Sequence, residues 1–181
     1  GKKVDIKNPR DAMLQGIGFV PEDRKLQGLV LGMSVGKNTT LAALKAVANK
    51  AGFINHKQEK EMADKFVKAL EVKTPSNDQL VKNLSGGNQQ KVVIVKWLAN
   101  NPDILILDEP TRGIDVGAKK EIHQLMSDLA NQGVAIIMIS SELPEVLGMS
   151  DRVIVMHEGR IKGQLSREDA DQVSIMKMAV S

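Results

Sequence analysis

The amino-acid sequence predicts an α/β protein in which a lobe of helices is inserted into a parallel sheet core. Two observations lead to this fold class. After residue 84, helical patterns alternate with short apolar runs in the order helix, strand, helix, strand, and this order is typical of a right-handed parallel α/β unit. From residue 34 to about residue 82, apolar residues recur only at helical spacing, so this stretch is expected to form the lobe.

The first 33 residues predict one short helix and one strand. Asn8 followed by a proline is typical of a capped helix start, and Gly16 is expected to close the helix after Gln15. The apolar residues 17–20 then predict a buried strand that ends at a proline. This segment is therefore expected to contribute one strand to the sheet.

The lobe and the alternating region follow. Ser34 can cap a helix that runs to about Asn49, and a second, lysine-rich helix is expected over residues 57–71. The alternating region predicts helices and strands, in turn, at residues 90–98, 104–107, 118–129 and 134–139.

The last segment predicts a hairpin at the edge of the sheet. Residues 151–156 and 160–164 both have strand character, and Glu158-Gly159 separates them as a tight turn would. An amphipathic tail is expected from Arg167 onwards.

Composition excludes several classes of protein. No run of about 18 uncharged apolar residues occurs, and the first residues lack the apolar core of a signal peptide, so the sequence supports neither membrane spanning nor secretion. The absence of cysteine excludes disulfides and thiolate metal sites and fits a reducing cytosol. A net charge of only +3, with 2% aromatic residues and no tyrosine, offers little for base stacking. Nucleic acid is therefore not an expected partner.

The run ILILDEP, residues 104–110, gives the strongest indication of chemistry. Four consecutive apolar residues predict a buried parallel strand, and Asp108 and Glu109 follow at its C-terminal end, where such sheets bind ligands. Asp108 can hold a Mg²⁺ ion there, commonly through water, and Glu109 can polarise a water aligned with a γ-phosphate. Alone, the run is also compatible with a solvated pair of carboxylates.

A second motif, LSGGNQQK, precedes this strand. Ser85 can cap a helix, while Gly86 and Gly87 let a phosphate approach backbone N–H groups closely, because a helix N-terminus already favours anions. A plain helix cap explains the same residues equally well when the segment is considered alone.

Together the motifs are far more specific. LSGG, a helix of about a dozen residues, a buried strand ending in DEPT, and then RGID resemble the signature motif, Walker B motif and D-loop of the ABC ATPase family, in the right order. GIGFVPEDRK, LSGGNQQK, LDEPTRGIDVGAK, ISSE and LGMSDRVIVMHEG are similar to the second nucleotide-binding domain of bacterial ribose, galactose and xylose importers. The resemblance covers essentially the whole chain and is greatest to the ribose-type members.

The resemblance implies an incomplete P-loop NTPase fold and a partial nucleotide-binding domain over residues 1–181. Residues 1–33 would be the end of the N-terminal core with the Q-loop region, and residues 34–100 the helical lobe with the signature motif. Residues 101–181 would carry Walker B, the D-loop, an altered H-loop and a C-terminal hairpin and helix.

No P-loop of the form G-x-x-x-x-G-K-[ST] is present. The nearest match, GMSVGKNT, has three residues between its glycines where four are needed, and Asn38 stands where a Mg²⁺-binding Ser or Thr should follow Lys37. Such a loop would not close around phosphates, so Ser34 is expected to be a helix cap and Lys37 a surface residue. We expect the chain to be a fragment that does not bind ATP alone.

The resemblance implies roles for individual residues, because ABC domains pair head to tail and each ATP lies between one domain's P-loop and the other's signature. Signature residues would contact the ATP of the partner domain in trans: Ser85, Gly86, Gly87 and Gln89. Asp108 would bind Mg²⁺ and Glu109 would be catalytic at this domain's own site. Asp115, in the D-loop, would cross the pair and connect the two sites.

Two positions depart from the family's usual pattern. Glu22 stands at the Q-loop position, where glutamine is usual, and a carboxylate there can bind Mg²⁺ or water but repels phosphate. Ser141 stands at the H-loop position, where histidine is usual, and cannot be a charged donor near neutral pH. The departures are either harmless variation or mark a poor hydrolytic site in this domain.

The implied function is ATP hydrolysis that drives import of a ribose-type monosaccharide. The expected partners are the first ABC domain of the same parent chain or a second ABC subunit, membrane permease subunits and, indirectly, a periplasmic sugar-binding protein. The expected location is the cytoplasmic face of the inner membrane. A non-hydrolysing regulatory or interaction fragment is the alternative, whereas a DNA-repair or chromosome-associated ABC ATPase would need long coiled-coil heptads before Leu84, and none occur.

Overall fold

The computed structural model describes residues 3–180, which form two compact units divided between Ile139 and Ser140. The helices of the first unit are α1 (Pro9–Leu14), α2 (Val35–Thr40), α3 (Leu44–Val47), α4 (His56–Ala69), α5 (Gly86–Leu98) and α6 (Val116–Asn131). Its strands are β1 (Ile17–Val20), β2 (Ile104–Asp108) and β3 (Ala135–Ile139). The second unit contains α7 (Leu143–Met149), β4 (Arg152–His157), β5 (Arg160–Ser166) and α8 (Gln172–Ala179).

The sheet of the first unit is parallel, in the order β1-β2-β3. On one face the side chains of Val20, Leu105 and Leu107 have no solvent exposure, because α5 packs against β1 and α6 against β3. The predicted parallel α/β core is confirmed. All three strands end at the same edge, with Asp108 in register with Ile139, so the residues that follow each strand meet there.

The other face of this sheet is apolar and half-exposed. Phe19, Ile106 and Ile137 lie in one row across the three strands, and Phe19 and Ile137 are 42% and 50% exposed. Side chains of this size in an aligned row form a contiguous apolar surface, which is typical of a face that another element covers.

The predicted single helix over residues 34–49 is wrong, because that segment is broken into three. α2 is followed by a 3₁₀ turn at Leu41–Ala43 and then by the short helix α3. The hydroxyl of Thr39 donates to the carbonyl of Val35 at 2.9 Å, and Thr40 donates to the carbonyl of Gly36 at 3.3 Å. Such back-bonding by threonine competes with the helical backbone and bends helices.

The segment that approximates a P-loop has a structural role. Ser34 caps α2 by accepting from the backbone N–H of Lys37, whose side chain is exposed, as predicted. Asn38 is fully buried, and its amide accepts from the N–H of Val30 and donates to the carbonyls of Val30 and Ser34. Asn38 therefore closes the preceding loop onto α2 in the described structure.

The second unit is a hairpin packed on two helices. β4 and β5 pair antiparallel, which confirms the predicted hairpin, and Glu158-Gly159 forms its turn with φ of 46° and 74°. The predicted place at the edge of the parallel sheet is wrong, because the two strands form a separate two-stranded sheet. Val153, Val155 and Ile175 form the core of this unit. Among residues 3–180, no helix has both the length and the apolar character needed to cross a bilayer.

Candidate functional site

The N-terminus of α5 has the chemical features of a site for an anion. Ser85 is its N-cap, with φ −61° and ψ 158°, and its hydroxyl accepts from the side-chain amide of Asn88 at 2.9 Å. Gly86 and Gly87 begin the first turn and carry no side chains of their own that could cover its backbone N–H groups. Since the helix dipole also favours negative charge there, this end of α5 is suited to a phosphate oxygen.

Both glycines also lie in close packing, which is tightest at Gly87. A Cβ placed on Gly87 would lie 2.5 Å from the Cβ of Ala118, in the first turn of α6. A Cβ on Gly86 would lie 3.0 Å from the guanidinium of Arg24 and 3.3 Å from the carbonyl oxygen of Gly113. The first turn of α5 is therefore enclosed on two sides by the segment that follows β2.

The carboxylates predicted from ILILDEP lie at the C-terminal edge of the sheet. Asp108 is the last residue of β2, and Glu109 follows with φ of 46°, a left-handed conformation that costs a non-glycine residue free energy and is concentrated at functional sites. The N–H of Glu109 donates to the carbonyl of Ile139 at 2.9 Å. The backbone of Glu109 is thus held by both β2 and β3.

Asp115 begins the helix that follows. It is the N-cap of α6, and its carboxylate accepts from the N–H of Ala118 at 2.9 Å. Because Ala118 also contacts Gly87, Asp115 organises the turn against which α5 packs.

Glu22 emerges two residues after β1, at the same edge of the sheet as Asp108. Its exposed carboxylate forms an ion pair with the guanidinium of Arg112. The next arginine, Arg24, donates to the carbonyls of Arg112 and Gly113 at 2.8 and 3.1 Å. The segment after β1 is therefore bonded to the loop after β2 by side chains at two positions.

Gln89 has its side chain inside the lobe. It is 4% exposed, and its amide nitrogen donates to the carbonyl of Val81 at 3.2 Å. These contacts give Gln89 a packing role, and its predicted contact with a nucleotide stays a prediction.

Ser141 belongs to the second unit, in the exposed turn before α7. Its neighbour Ser140 organises this turn, accepting from the N–H of Glu142 at 3.0 Å and donating to the buried carboxylate of Glu145 at 2.5 Å. The turn is therefore locally well held.

The comparison with known families decides the class of protein. The family model described as ABC transporter matches residues 1–112, more than half of the chain. The chain belongs to the ABC transporter family. Similar proteins include the ribose import ATP-binding protein RbsA of Clostridium tetani, 55% identical over 180 residues, and the xylose import ATP-binding protein XylG of Geobacillus kaustophilus, 56% identical over 179 residues.

These matches cover 99% of this chain but 36% and 35% of the two relatives, respectively, so the chain spans about a third of their length. Among solved structures, the dimeric ATP-binding cassette MJ0796 in a post-hydrolysis state, bound to ADP and Pi, aligns with a TM-score of 0.71. It is 24% identical, and the alignment covers 90% of this chain and 68% of that one. The likeness confirms the predicted fold class, that of the P-loop NTPase cassettes.

Within this ABC family chain, the signature helix is anchored by buried cations that the sequence did not reveal. Lys91, 4% exposed, pairs with Glu121 of α6 at 2.9 Å, and hydrogen bonds from Lys91 and from Lys73 hold the pKa of Glu121 below its usual range. Lys96 donates to the carbonyl of Gly28, and burial lowers the pKa of Lys96. These contacts fix α5 to α6 on one side and to the segment after β1 on the other.

Asp108 is compatible with a metal ion that is shared with phosphate. Residues 3–180 contain no group of three or more histidine, aspartate or glutamate residues that could hold a metal ion. Mg²⁺ bound in ABC proteins needs few protein ligands, because it retains waters and takes oxygens from the substrate phosphates. Asp108 as a single carboxylate ligand is consistent with that arrangement.

Proposed function

We propose that this chain is part of a longer ATP-binding protein that hydrolyses ATP to energise import of a monosaccharide of the ribose type. The observation that carries the proposal is the pairing of two motifs in one unit: the glycine-rich N-terminus of α5 and the carboxylates that follow β2. Identity above 50% to proteins named for ribose and xylose import supports the substrate class.

We call Ser85 and the first turn of α5 the signature turn. It would contact an ATP molecule that is bound mainly by another ABC domain. Ser85, Gly86 and Gly87 would direct backbone N–H groups and the positive end of the α5 dipole at the phosphates. Gln89 would act indirectly, by holding the start of α5 against the lobe, since its side chain is buried. The first ABC domain of the longer protein, or a second ABC subunit, is the partner that we assign to this surface.

The carboxylates would serve the domain's own site. Mg²⁺-bound ATP would supply the phosphoryl group that is transferred to water. Asp108 would hold the metal, and Glu109 would orient and accept a proton from the attacking water. The backbone hydrogen bond of Glu109 to Ile139 would limit the movement of that carboxylate.

Asp115 and the remaining partners follow from the same proposal. Asp115, as cap of the helix against which the signature turn packs, would transmit changes between the two ATP sites. Membrane permease subunits would receive the resulting movement at the cytoplasmic face of the inner membrane, with a periplasmic sugar-binding protein delivering the sugar.

A second candidate is a domain that contributes its signature but whose own site does not hydrolyse ATP. Glu22 favours it, because its carboxylate is engaged by Arg112 and would repel phosphate. Ser141 favours it as well, since a serine lacks the charge of the histidine that is usual at the H-loop position.

Binding of Mg-ATP tests the proposal most directly. We expect the longer protein to bind Mg-ATP and, with its permease in vesicles, to accumulate ribose when ATP is supplied. The 181-residue chain alone should bind Mg-ATP with a Kd of roughly 1 mM or weaker, about −4 kcal/mol, because its sequence has no P-loop. Calorimetry giving a micromolar Kd for the chain alone would contradict this expectation. If the longer protein with its permease takes up no pentose or hexose when ATP is supplied, the proposed function is rejected.

Glu109→Gln distinguishes the two candidates. If this domain's own site is impaired, the substitution in the longer protein should reduce steady-state ATP turnover less than about tenfold. At a competent site, loss of the water-orienting base reduces turnover by roughly 10²–10⁴-fold. Glu158→Gln is the matched control, because Glu158 has the same φ of 46° in an exposed hairpin turn. A loss of more than a hundredfold with Glu109→Gln alone would show that both sites hydrolyse ATP.

A further inference from the structure

Arg24 lies where three parts of the first unit meet. It begins a π-helical turn, Arg24–Gly28, after β1. Its guanidinium donates through Nη1 to the carbonyl of Arg112 at 2.8 Å and through Nη2 to the carbonyl of Gly113 at 3.1 Å. The same Nη2 also lies against Gly86, on which a Cβ would be 3.0 Å from it. One side chain therefore contacts both the signature turn and the loop between β2 and α6.

Arg24 is hydrogen-bonded to the loop that connects Glu109 to Asp115. At its start, the N–H of Arg112 donates to the carbonyl of Glu109 at 3.1 Å. At its end, Asp115 caps α6. The side chain of Arg24 donates to backbone carbonyls in the middle of this loop. These hydrogen bonds therefore do not depend on which side chains the loop carries.

The turn that carries Arg24 is itself fixed on the signature helix. Gly28 packs so closely on α5 that a Cβ there would be 2.9 Å from the side chain of Val93, and the carbonyl of Gly28 accepts from Lys96. The carboxylate of Asp23 accepts from the first N–H groups of the turn at 2.9 and 3.0 Å. The turn that carries the guanidinium is thus itself attached to α5.

The chemistry of the contact requires arginine. A planar guanidinium can donate to two neighbouring carbonyls at once, whereas a lysine ammonium offers a single point charge. Among the described residues, the Nε of Arg24 is buried without a hydrogen-bond partner, which costs stability. The guanidinium makes its two bonds to the carbonyls although Nε has no partner.

The neighbouring ion pair is the weaker connection. Glu22 and Arg112 are 46% and 65% exposed at their side chains, and exposed pairs contribute little because solvent screens them. The guanidinium of Arg24 instead makes two hydrogen bonds to adjacent carbonyls, and two bonds from one planar group add a geometric specificity that a single exposed ion pair lacks.

We propose that Arg24 is a positioning residue that holds the loop from Glu109 to Asp115 in register with the signature turn at Gly86. The proposal deepens the function proposed above and rests on it for its consequence: the signature turn offered to one ATP and the carboxylates of the other site move as one body. Arg24 does not touch the nucleotide in this arrangement and acts through the backbone of the loop.

Hydrogen exchange in the longer protein tests the clamp, that is, the contacts of Arg24 with the loop and with Gly86, without relying on activity. Arg24→Lys and Arg24→Gln should each accelerate exchange of the Arg112 N–H, and of the Gln89 N–H in the first turn of α5, by about tenfold or more. Exchange in the β4-β5 hairpin should stay unchanged. Lys25→Gln, an exposed neighbour on the same turn, is the matched control and should alter none of these rates.

Kinetics give the second readout. With both arginine variants, the kcat of ATP hydrolysis should fall about tenfold or more while KM for ATP stays within about twofold, since a misplaced loop affects turnover more than ground-state binding. Wild-type exchange rates in Arg24→Lys would overturn the proposal, and so would faster exchange throughout the protein, hairpin included. If the longer protein does not hydrolyse ATP at all, the proposed function fails, and the exchange comparison still decides whether the clamp exists.

Discussion

Ser85→Arg is expected to abolish nearly all ATPase activity and sugar transport of the longer protein. Ser85 caps α5 at its exposed N-terminus. An arginine there places a long cation over the N–H groups of the first turn, so that a phosphate from the partner domain cannot reach them. The measurement is steady-state ATP turnover, with ribose uptake in vesicles as the second assay.

The size of the loss in ATP turnover distinguishes blocked access of the phosphate from loss of the serine cap. Replacing a serine cap costs about 1 kcal/mol of helix stability, which leaves α5 folded, since most of its residues are buried. Asn100→Arg is the control, because Asn100 is exposed and the substitution adds the same charge just beyond the C-terminal end of the same helix. Retention of more than about a tenth of wild-type turnover by Ser85→Arg would show that the signature turn does not face the phosphates.

The parts of the structure that the sequence predicted depend on local chemistry. Ser85 caps α5 and Asp108 ends β2 because a hydroxyl beside two glycines, and an apolar run followed by carboxylates, each determine their own segment. The hairpin turn at Glu158-Gly159 is local in the same sense. Residues that are neighbours along the chain were sufficient for these predictions.

Other features depend on contacts between distant segments or on hydroxyl geometry. Arg24 donates hydrogen bonds to Arg112 and Gly113, which lie 88 and 89 positions further along the chain. No periodicity in the sequence indicates this pairing. The break after α2 follows from where the Thr39 and Thr40 hydroxyls point, which an apolar pattern does not encode.

Roles inferred from the family resemblance need the geometry beside them. Glu22 occupies the Q-loop position, yet its carboxylate is engaged by Arg112. Gln89 belongs to the signature motif, yet its amide bonds to the backbone of the lobe. Position in a motif predicts a contact with nucleotide for Gln89 and a contact with Mg²⁺ or water for Glu22. Both stay predictions beside the contacts that the structure shows.

Gly87→Ala is expected to reduce ATP turnover of the longer protein about a hundredfold. The new methyl group would lie 2.5 Å from the Cβ of Ala118, closer than two carbon atoms can approach, so α5 and α6 must separate at their first turns. The Cβ of Ala118 is not the flexible end of a long side chain, so the backbone must shift, and this shift moves the N–H groups at the start of α5. A displacement of about 1 Å is enough to cost roughly 10²-fold in rate.

The steric cause can be tested by restoring the space. Ala118→Gly removes the methyl group that Gly87→Ala would meet, so the double variant should recover at least about a tenfold gain over Gly87→Ala, although the added glycine weakens α6 by roughly 1 kcal/mol. Gly148→Ala is the matched control, because a Cβ on that exposed helical glycine meets nothing within 4 Å, and turnover should be unchanged. If Gly87→Ala is as active as wild type, or if Ala118→Gly gives no recovery, the close packing of α5 on α6 does not position the signature turn.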